Sequence, residues 1–428
     1  MAEKTIMDHN EAQISARATR RQITLVFLTL LASLFAAAQG TTSGHFGVIH
    51  DFRGGKDGAY PLAGLTIDRS GNLYGTALAG GRGTCLPSNT GCGTVFELTN
   101  SLSGWILEPL YAFRGGNDGA GPYGRVVIGP NGSLYGTTID GGRNTCLSGC
   151  GVVFELKPAA CASVPCPWTE TILYRFRGNN DGFYPTGDLV FDQAGDLYGT
   201  TTQGGSQGPG TVYELTPSDR NWAESILYNF PSQGPGNPCS GVIFDHAGNL
   251  YGTATAPNGA IFQLTHSISG WMENTVYTFQ GNRQGSVTEG GLILGESGNL
   301  IGATAFGGPE NGGTVYSLRP SKDGWDLRTL YGFAGQGESG PMAQLTMDAA
   351  RNLYGTTKGN PAAGTWGTVF KLTHNSSGWT ETVLHRFTGG RDGGSPNSNL
   401  VFDNHGNLYG TTSAGGVSNY GVVFEITP

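Results

Sequence analysis

The heptapeptide GNLYGTT, Gly406 to Thr412, is written seven times along this chain with small changes: GNLYGTA at 71, GSLYGTT at 132, GDLYGTT at 195, GNLYGTA at 248, GNLIGAT at 298 and RNLYGTT at 351. The copies stand 50 to 63 residues apart, longer than most solenoid repeats and close to one blade of a β-propeller. Each copy is set among three further recurring stretches. A short apolar run such as DLVFD (188–192) or NLVFD (399–403) comes first, and an acidic turn ending in glycine, DQAG or DNHG, joins it to the heptapeptide as a hairpin requires. After a variable loop comes a valine, aromatic, leucine alternation, seen in GTVFELT at 93, GTVYELT at 210 and GVVFEIT at 421. A polar turn then leads to a tryptophan-led run such as WTETILYRF at 168 or WTETVLHRF at 379. These are four antiparallel strands, a to d, with the heptapeptide as strand b.

Four short strands bury both faces only by stacking on neighbouring units, and radial stacking closes a ring. The chain holds seven copies of a, b and c but only six tryptophan-led copies of d. The missing one is at the N-terminus, where FGVIHDF (46–52) aligns with ETVLHRF (381–387) at Val48, Ile49, His50 and Phe52. The expectation is all-β: a single seven-bladed β-propeller over 45–428, its last blade completed by an N-terminal outer strand that removes the open edge. In strand b, Leu408 and Tyr409 are expected to pack between successive blades while Gly410 permits close approach. The six tryptophans that begin strand d are read as packing residues. Trp366, in the loop before strand c of blade six, is the better candidate for ligand contact.

Arg17, Arg20 and Arg21 precede the apolar run ITLVFLTLLASLF (23–35), and Ala36 and Ala38 form an A-x-A cleavage signal. Residues 1–38 therefore read as a signal peptide, 39–44 as a short linker, and the mature protein as secreted or periplasmic with no membrane span. Of seven cysteines, six lie in close pairs, Cys85 with Cys92, Cys146 with Cys150 and Cys161 with Cys166, and read as three local disulfides suited to an oxidising compartment. Cys239 is left as a buried free thiol. The net charge of −8 argues against nucleic acid as a partner, since that needs a basic face.

With GNLYGTT, GTVFELT, GWTETVLHRF and GGRDGGSP in view, the chain resembles the Gloeo/Verruco (GloVer) tandem-repeat family of exported bacterial proteins over residues 45–428. The resemblance implies an exported repeat protein of unassigned biochemical function, often followed by a C-terminal anchor. Here strand c is the last element before Pro428, so no anchor is expected.

In a four-stranded propeller the d-to-a and b-to-c loops share one face, where binding is most often built. Four d-to-a loops carry an Asp-Gly pair, placing Asp57, Asp118, Asp181 and Asp392 in the sector of blades 7, 1, 2 and 3, and the long b-to-c loops of that sector carry Arg82 and Arg143. Asp-Gly is also a strong turn former. Calcium needs six to eight oxygens against one carboxylate per loop, so no metal or other cofactor is expected, with calcium the weaker alternative. No nucleophile elbow, zinc-protease helix or dinucleotide fingerprint occurs. The sequence therefore favours a monomeric binding or scaffold module for a glycan or protein ligand, with Asp57, Asp118, Asp181, Asp392, Arg82, Arg143 and Trp366 as ligand-facing residues. The alternative is a polysaccharide hydrolase or lyase on the same scaffold, with no catalytic residue assigned.

Overall fold

The alternating stretches form antiparallel strands wherever they occur in the computed structural model, which describes residues 44–85, 90–143, 145–158, 168–218, 221–281, 283–335 and 340–427. The expected signal peptide (1–38), all but the last residue of the linker (39–44) and the Cys161 and Cys166 pair lie outside the described residues. Strands a to d are Thr66–Ile67, Leu73–Ala77, Thr94–Ser101 and Gly104–Ala112 in blade 1, and Val127–Ile128, Leu134–Asp140, Val152–Pro158 and Trp168–Arg175 in blade 2. Blade 3 has Val190–Phe191, Leu197–Thr201, Thr211–Pro217 and Trp222–Asn229, and blade 4 has Ile243–Phe244, Leu250–Ala254, Ala260–Ser267 and Gly270–Thr278. Blade 5 has Ile293–Leu294, Leu300–Thr304, Asn311–Ser321 and Gly324–Ala334, and blade 6 has Thr346–Met347, Leu353–Thr357, Thr368–Asn375 and Gly378–Arg386. In blade 7, Val401–Phe402, Leu408–Thr412 and Val422–Thr427 are joined by the N-terminal strand His45–Asp51 as strand d. That strand runs antiparallel to Val422–Thr427 with Val48 opposite Phe424, so the two ends of the ring share one sheet. The fold is a seven-bladed β-propeller.

The heptapeptide supplies three separate connections between blades. Leu408 lies in the core shared by blades 6 and 7, beside Tyr354 and Phe424, whereas its neighbour Tyr409 lies in the core shared by blades 7 and 1, beside Phe52 and Phe96. Alternation along one strand thus feeds two interfaces. Gly410 is required by closeness: a Cβ there would stand 2.6 Å from Phe424 Cζ. The threonine that follows is an inter-blade latch. Thr411 Oγ1 donates to Ala63 O at 2.9 Å, and the same bond runs from Thr76 to Gly124 O (3.2 Å), Thr200 to Ser240 O (2.8 Å), Thr253 to Gly290 O (3.2 Å) and Thr356 to Ser398 O (3.0 Å). Blade 2 has the threonine, Thr137, but its buried hydroxyl makes no such bond, and blade 5, whose copy reads GNLIGAT, has Ala303 at this position and cannot make it.

Each interface is also pinned by aromatic pairs. The phenylalanine at the end of strand d or just after it sits against the strand c aromatic of the next blade, from Phe333 on Phe370 at 4.9 Å to Phe52 on Phe96 and Phe387 on Phe424 at 5.3 Å. The strand d tryptophans Trp105, Trp168, Trp222, Trp271 and Trp325 stand edge-on to the strand b tyrosine of the preceding blade, at 5.5 to 6.5 Å. Strand a pairs over only two residues in every blade, fewer than the apolar runs suggest. The residues before it crowd the axis instead: a Cβ on Gly187 would stand 2.6 Å from Gly241 N of the next blade.

Candidate functional site

The d-to-a and b-to-c loops do share a face and are joined by backbone hydrogen bonds, as in Ala59 N to Ala79 O at 2.8 Å. On that face each of the four expected aspartates closes its own loop. Asp57 Oδ2 accepts from Arg53 N (2.9 Å), Asp118 Oδ2 from Arg114 N (2.7 Å), Asp181 Oδ2 from Arg177 N (3.0 Å) and Asp392 Oδ2 from Thr388 N (2.9 Å). A strand d side chain seven residues earlier completes each motif. Tyr111 and Tyr174 hydroxyls donate to Asp118 and Asp181 at 2.6 and 2.8 Å, and the His50 and His385 Nε2–H groups donate to Asp57 and Asp392 at 3.3 and 3.1 Å. Burial holds both imidazoles below their ordinary pKa despite the facing carboxylate. The four carboxylates bond within their own loops rather than to one another.

Tyrosine replaces histidine where the next blade adds a glutamate. Glu170 of blade 2 faces Asp118 and Tyr111, and Glu224 of blade 3 lies 3.4 Å from the Tyr174 hydroxyl that bonds Asp181. Burial first and the neighbouring aspartate second push Glu170 up to about 8 and Glu224 up to about 7. These pairs sit under the loops at the outer rim. Among the described residues no group of three or more His, Cys, Asp or Glu side chains is placed to hold a metal ion.

Arg82 and Arg143 are exposed on the b-to-c loops, which the disulfides Cys85–Cys92 and Cys146–Cys150 close. The disulfides have a second use. Cys92 and Cys150 immediately precede the strand c glycine, and their bridges lie over Gly115 and Gly178 of the adjoining d-to-a loops. In blades 6 and 7 the same sequence position holds Trp366 and Tyr420, which lie over Gly389 and Gly54. Trp366 is half-buried against the core of blades 6 and 7, so one face of its ring is committed to covering the Asp392 loop.

The structure adds a cavity that the loop motifs did not indicate. Just before strand a, on the axis, a cavity of about 290 Å³ is lined by all seven blades. Its mouth is ringed by the residue after the loop proline or its equivalent: Leu62, Tyr123, Thr186, Cys239, Glu289, Met342 and Asn397. The next residue inward is always small (Ala63, Gly124, Gly187, Ser240, Gly290, Ala343 and Ser398) because neighbouring strands meet there. One position beyond, Arg125 Nε and Asp188 Oδ2 pair at 3.1 Å across blades 2 and 3. Burial raises the Glu289 carboxyl pKa, with Lys358 opposing the shift, and burial also raises that of the Cys239 thiol. A thiol shifted upward is a poor nucleophile. Aligning the repeats on the loop proline was the signal that would have found this ring.

The sequence pattern of the Gloeobacter/Verrucomicrobia repeat matches residues 36–257 and 254–428, nearly all of the chain and the whole ring. The chain belongs to this repeat family. No curated protein matches it. Among solved structures, this family member is similar to PorZ, a surface component of the type-IX secretion system of Porphyromonas gingivalis, at 14% identity and TM-score 0.51, over 89% of this chain and 48% of that one. It is similar to the extracellular domain of the putative hybrid two-component system BT4673 from B. thetaiotaomicron at 11% identity and TM-score 0.52, over 89% of this chain and 39% of that one. It is also similar to a PL25 ulvan lyase bound to a GlcA and Rha3S oligosaccharide, at 11% identity and TM-score 0.52, over 89% and 95% of the two chains. At these identities the likeness is one of fold.

Proposed function

We propose that this repeat-family protein is an exported, secreted or periplasmic binding module that holds a glycan at the mouth of the axial channel. The observation that carries the reading is internal to the chain. Positions that build the ring are written nearly alike in every blade, whereas the mouth position is filled by seven different residues, from Leu62 and Met342 to Glu289 and Asn397. A position released from sevenfold packing and left facing a cavity is where a ligand sets the residue. The two disulfides among the described residues fit an oxidising compartment. A propeller of this fold that is a polysaccharide lyase supports a saccharide as the ligand class. In this reading Arg82, Arg143, Tyr123 and Asn397 face the ligand, while Asp57, Asp118, Asp181, Asp392 and Trp366 hold the loops that frame it.

A glycan array on the mature protein tests the reading. Binding should fall at least about tenfold in Tyr123→Ala or Asn397→Ala, the loss of roughly 1.4 kcal/mol of contact, and should persist in Asp118→Asn. Binding that survives both mouth variants overturns the reading. Product formation from a bound polysaccharide would instead establish the hydrolase or lyase alternative.

A further inference from the structure

Beside the axial mouth, between blades 2 and 3, a second cavity of about 350 Å³ is lined by Tyr123, Ile139, Asp140, Ser148, Tyr184, Thr186 and Thr202. Its size falls within the roughly 300–1,000 Å³ range of small-molecule sites. Tyr123 and Thr186 line both cavities, so the two adjoin. Blade 2 builds this place by a departure from the repeat: a fifth strand, Ala120–Pro122, pairs with the end of strand b, setting Ala120 opposite Asp140 and carrying Tyr123 directly after it. Other blades make only an isolated bridge there, and the residue matching Asp140 is Ala79, Gln203, Ala256, Phe306 or Ala414. Asp140 is thus the one carboxylate at a position that is otherwise uncharged in these blades.

Among the described residues the Asp140 carboxylate has no hydrogen-bond donor and no counter-cation, although it is half-buried. Burial alone pushes it up to about 6. A half-buried carboxylate without a partner among the described residues favours a ligand that brings positive charge. The surroundings suit one. Tyr123, with 38% of its surface exposed, and Tyr184 offer aromatic faces, whose quadrupole attracts a cation. The Thr186 and Thr202 hydroxyls are bonded to each other at 2.7 Å, and Thr186 donates to Cys239 O at 3.1 Å, so what they offer a sugar hydroxyl is lone pairs that accept. The acidic chain, at −8, favours the approach of a cationic ligand.

The geometry points to this cavity as a subsite for the ammonium group of an amino-sugar residue, with Asp140 as its counter-charge and Tyr123 and Tyr184 as its walls. The inference rests on the glycan reading above and names the saccharide class. A deacetylated amino sugar carries the charge that Asp140 lacks; its N-acetylated counterpart is neutral and bulkier at the same atom.

Calorimetric titration with a glucosamine oligosaccharide, its N-acetylated form and trilysine tests it. The glucosamine oligosaccharide should bind at least about tenfold tighter than the N-acetylated form, and Asp140→Asn should remove that preference by at least about tenfold, as expected for one charge-assisted contact. Tyr123→Leu should weaken the same ligand with the melting temperature unchanged. Equal binding of the two oligosaccharides, an unaffected Asp140→Asn variant, or trilysine binding as tightly as the glucosamine oligosaccharide overturns the subsite. If other glycans on the array bind and glucosamine oligosaccharides do not, the subsite falls and the glycan reading stands; if no glycan binds, both fall.

Discussion

Replacing Phe52 by alanine tests whether the N-terminal strand carries the ring or merely lies against it. Phe52 is fully buried and stands 5.3 Å from Phe96 of blade 1, and its backbone N–H donates to Gly421 O of blade 7 at 3.1 Å. Phe230, in the middle of the chain, has the same surroundings: it is 5.1 Å from Phe262 of blade 4 and its N–H donates to Gly210 O at 3.0 Å. Truncating a buried phenylalanine removes its transfer free energy and leaves a cavity, about 3–5 kcal/mol together. Because the two sites are equivalent by geometry, Phe52→Ala and Phe230→Ala should each lower stability by that amount and agree within about 1 kcal/mol. Urea titration followed by near-ultraviolet circular dichroism reads both midpoints. Phe52→Ala within about 0.5 kcal/mol of the parent, with Phe230→Ala strongly destabilised, would refute the closure, since measured changes below that size are typical of surface positions. Thr411→Val removes the latch to Ala63 at the same junction and should add to the loss.

Thr200→Val and Thr356→Val keep shape but delete a buried hydroxyl that satisfies a carbonyl of the next blade, so each should cost about 1–3 kcal/mol in the same titration; unchanged midpoints would show that the latch contributes nothing. The bridges Cys85–Cys92 and Cys146–Cys150 span only 7 and 4 residues, and chain-entropy reasoning assigns each about 2 kcal/mol. Reduction should therefore speed hydrogen exchange in the two loops while strands b and c stay protected, and global loss of protection would contradict this. Glu170 and Glu224 titrate in the folded state at about 8 and about 7, above their unfolded values, so the native state holds extra protons in that window. Their contribution to stability should be greatest below the ordinary carboxylate range and be lost as pH rises from there through these values. The Glu170→Gln, Glu224→Gln double variant should flatten the decline in denaturation midpoint between about pH 5 and 8; an equally steep decline would locate the titration elsewhere.

The ring was legible because its devices recur. The strand count pointed to the closure by residues 46–52, and alternation in LYGT placed Leu408 and Tyr409 at blade interfaces. Less legible were features that depend on neighbouring blades. Strand a pairs over only two residues, and the close Gly187 to Gly241 approach just before it joins residues 54 positions apart in neighbouring blades. The threonine latch was hidden in the same way, since its acceptor is a backbone carbonyl of the next unit.

On the proposed reading the loop aspartates frame the ligand rather than meet it, and there is a physical reason the sequence singles them out. Asp57, Asp118, Asp181 and Asp392 stand out because they recur, but recurrence in a symmetric ring marks what every blade needs, and each of them closes a turn. A ligand off the axis meets only part of the ring, so residues chosen for it break the repeat. Asp140 breaks it where five blades place an uncharged residue, and Tyr123 breaks it at the mouth. In a chain that carries its own sevenfold alignment, the agreements describe the scaffold, and the disagreements at cavity-facing positions are what the proposed ligand would meet.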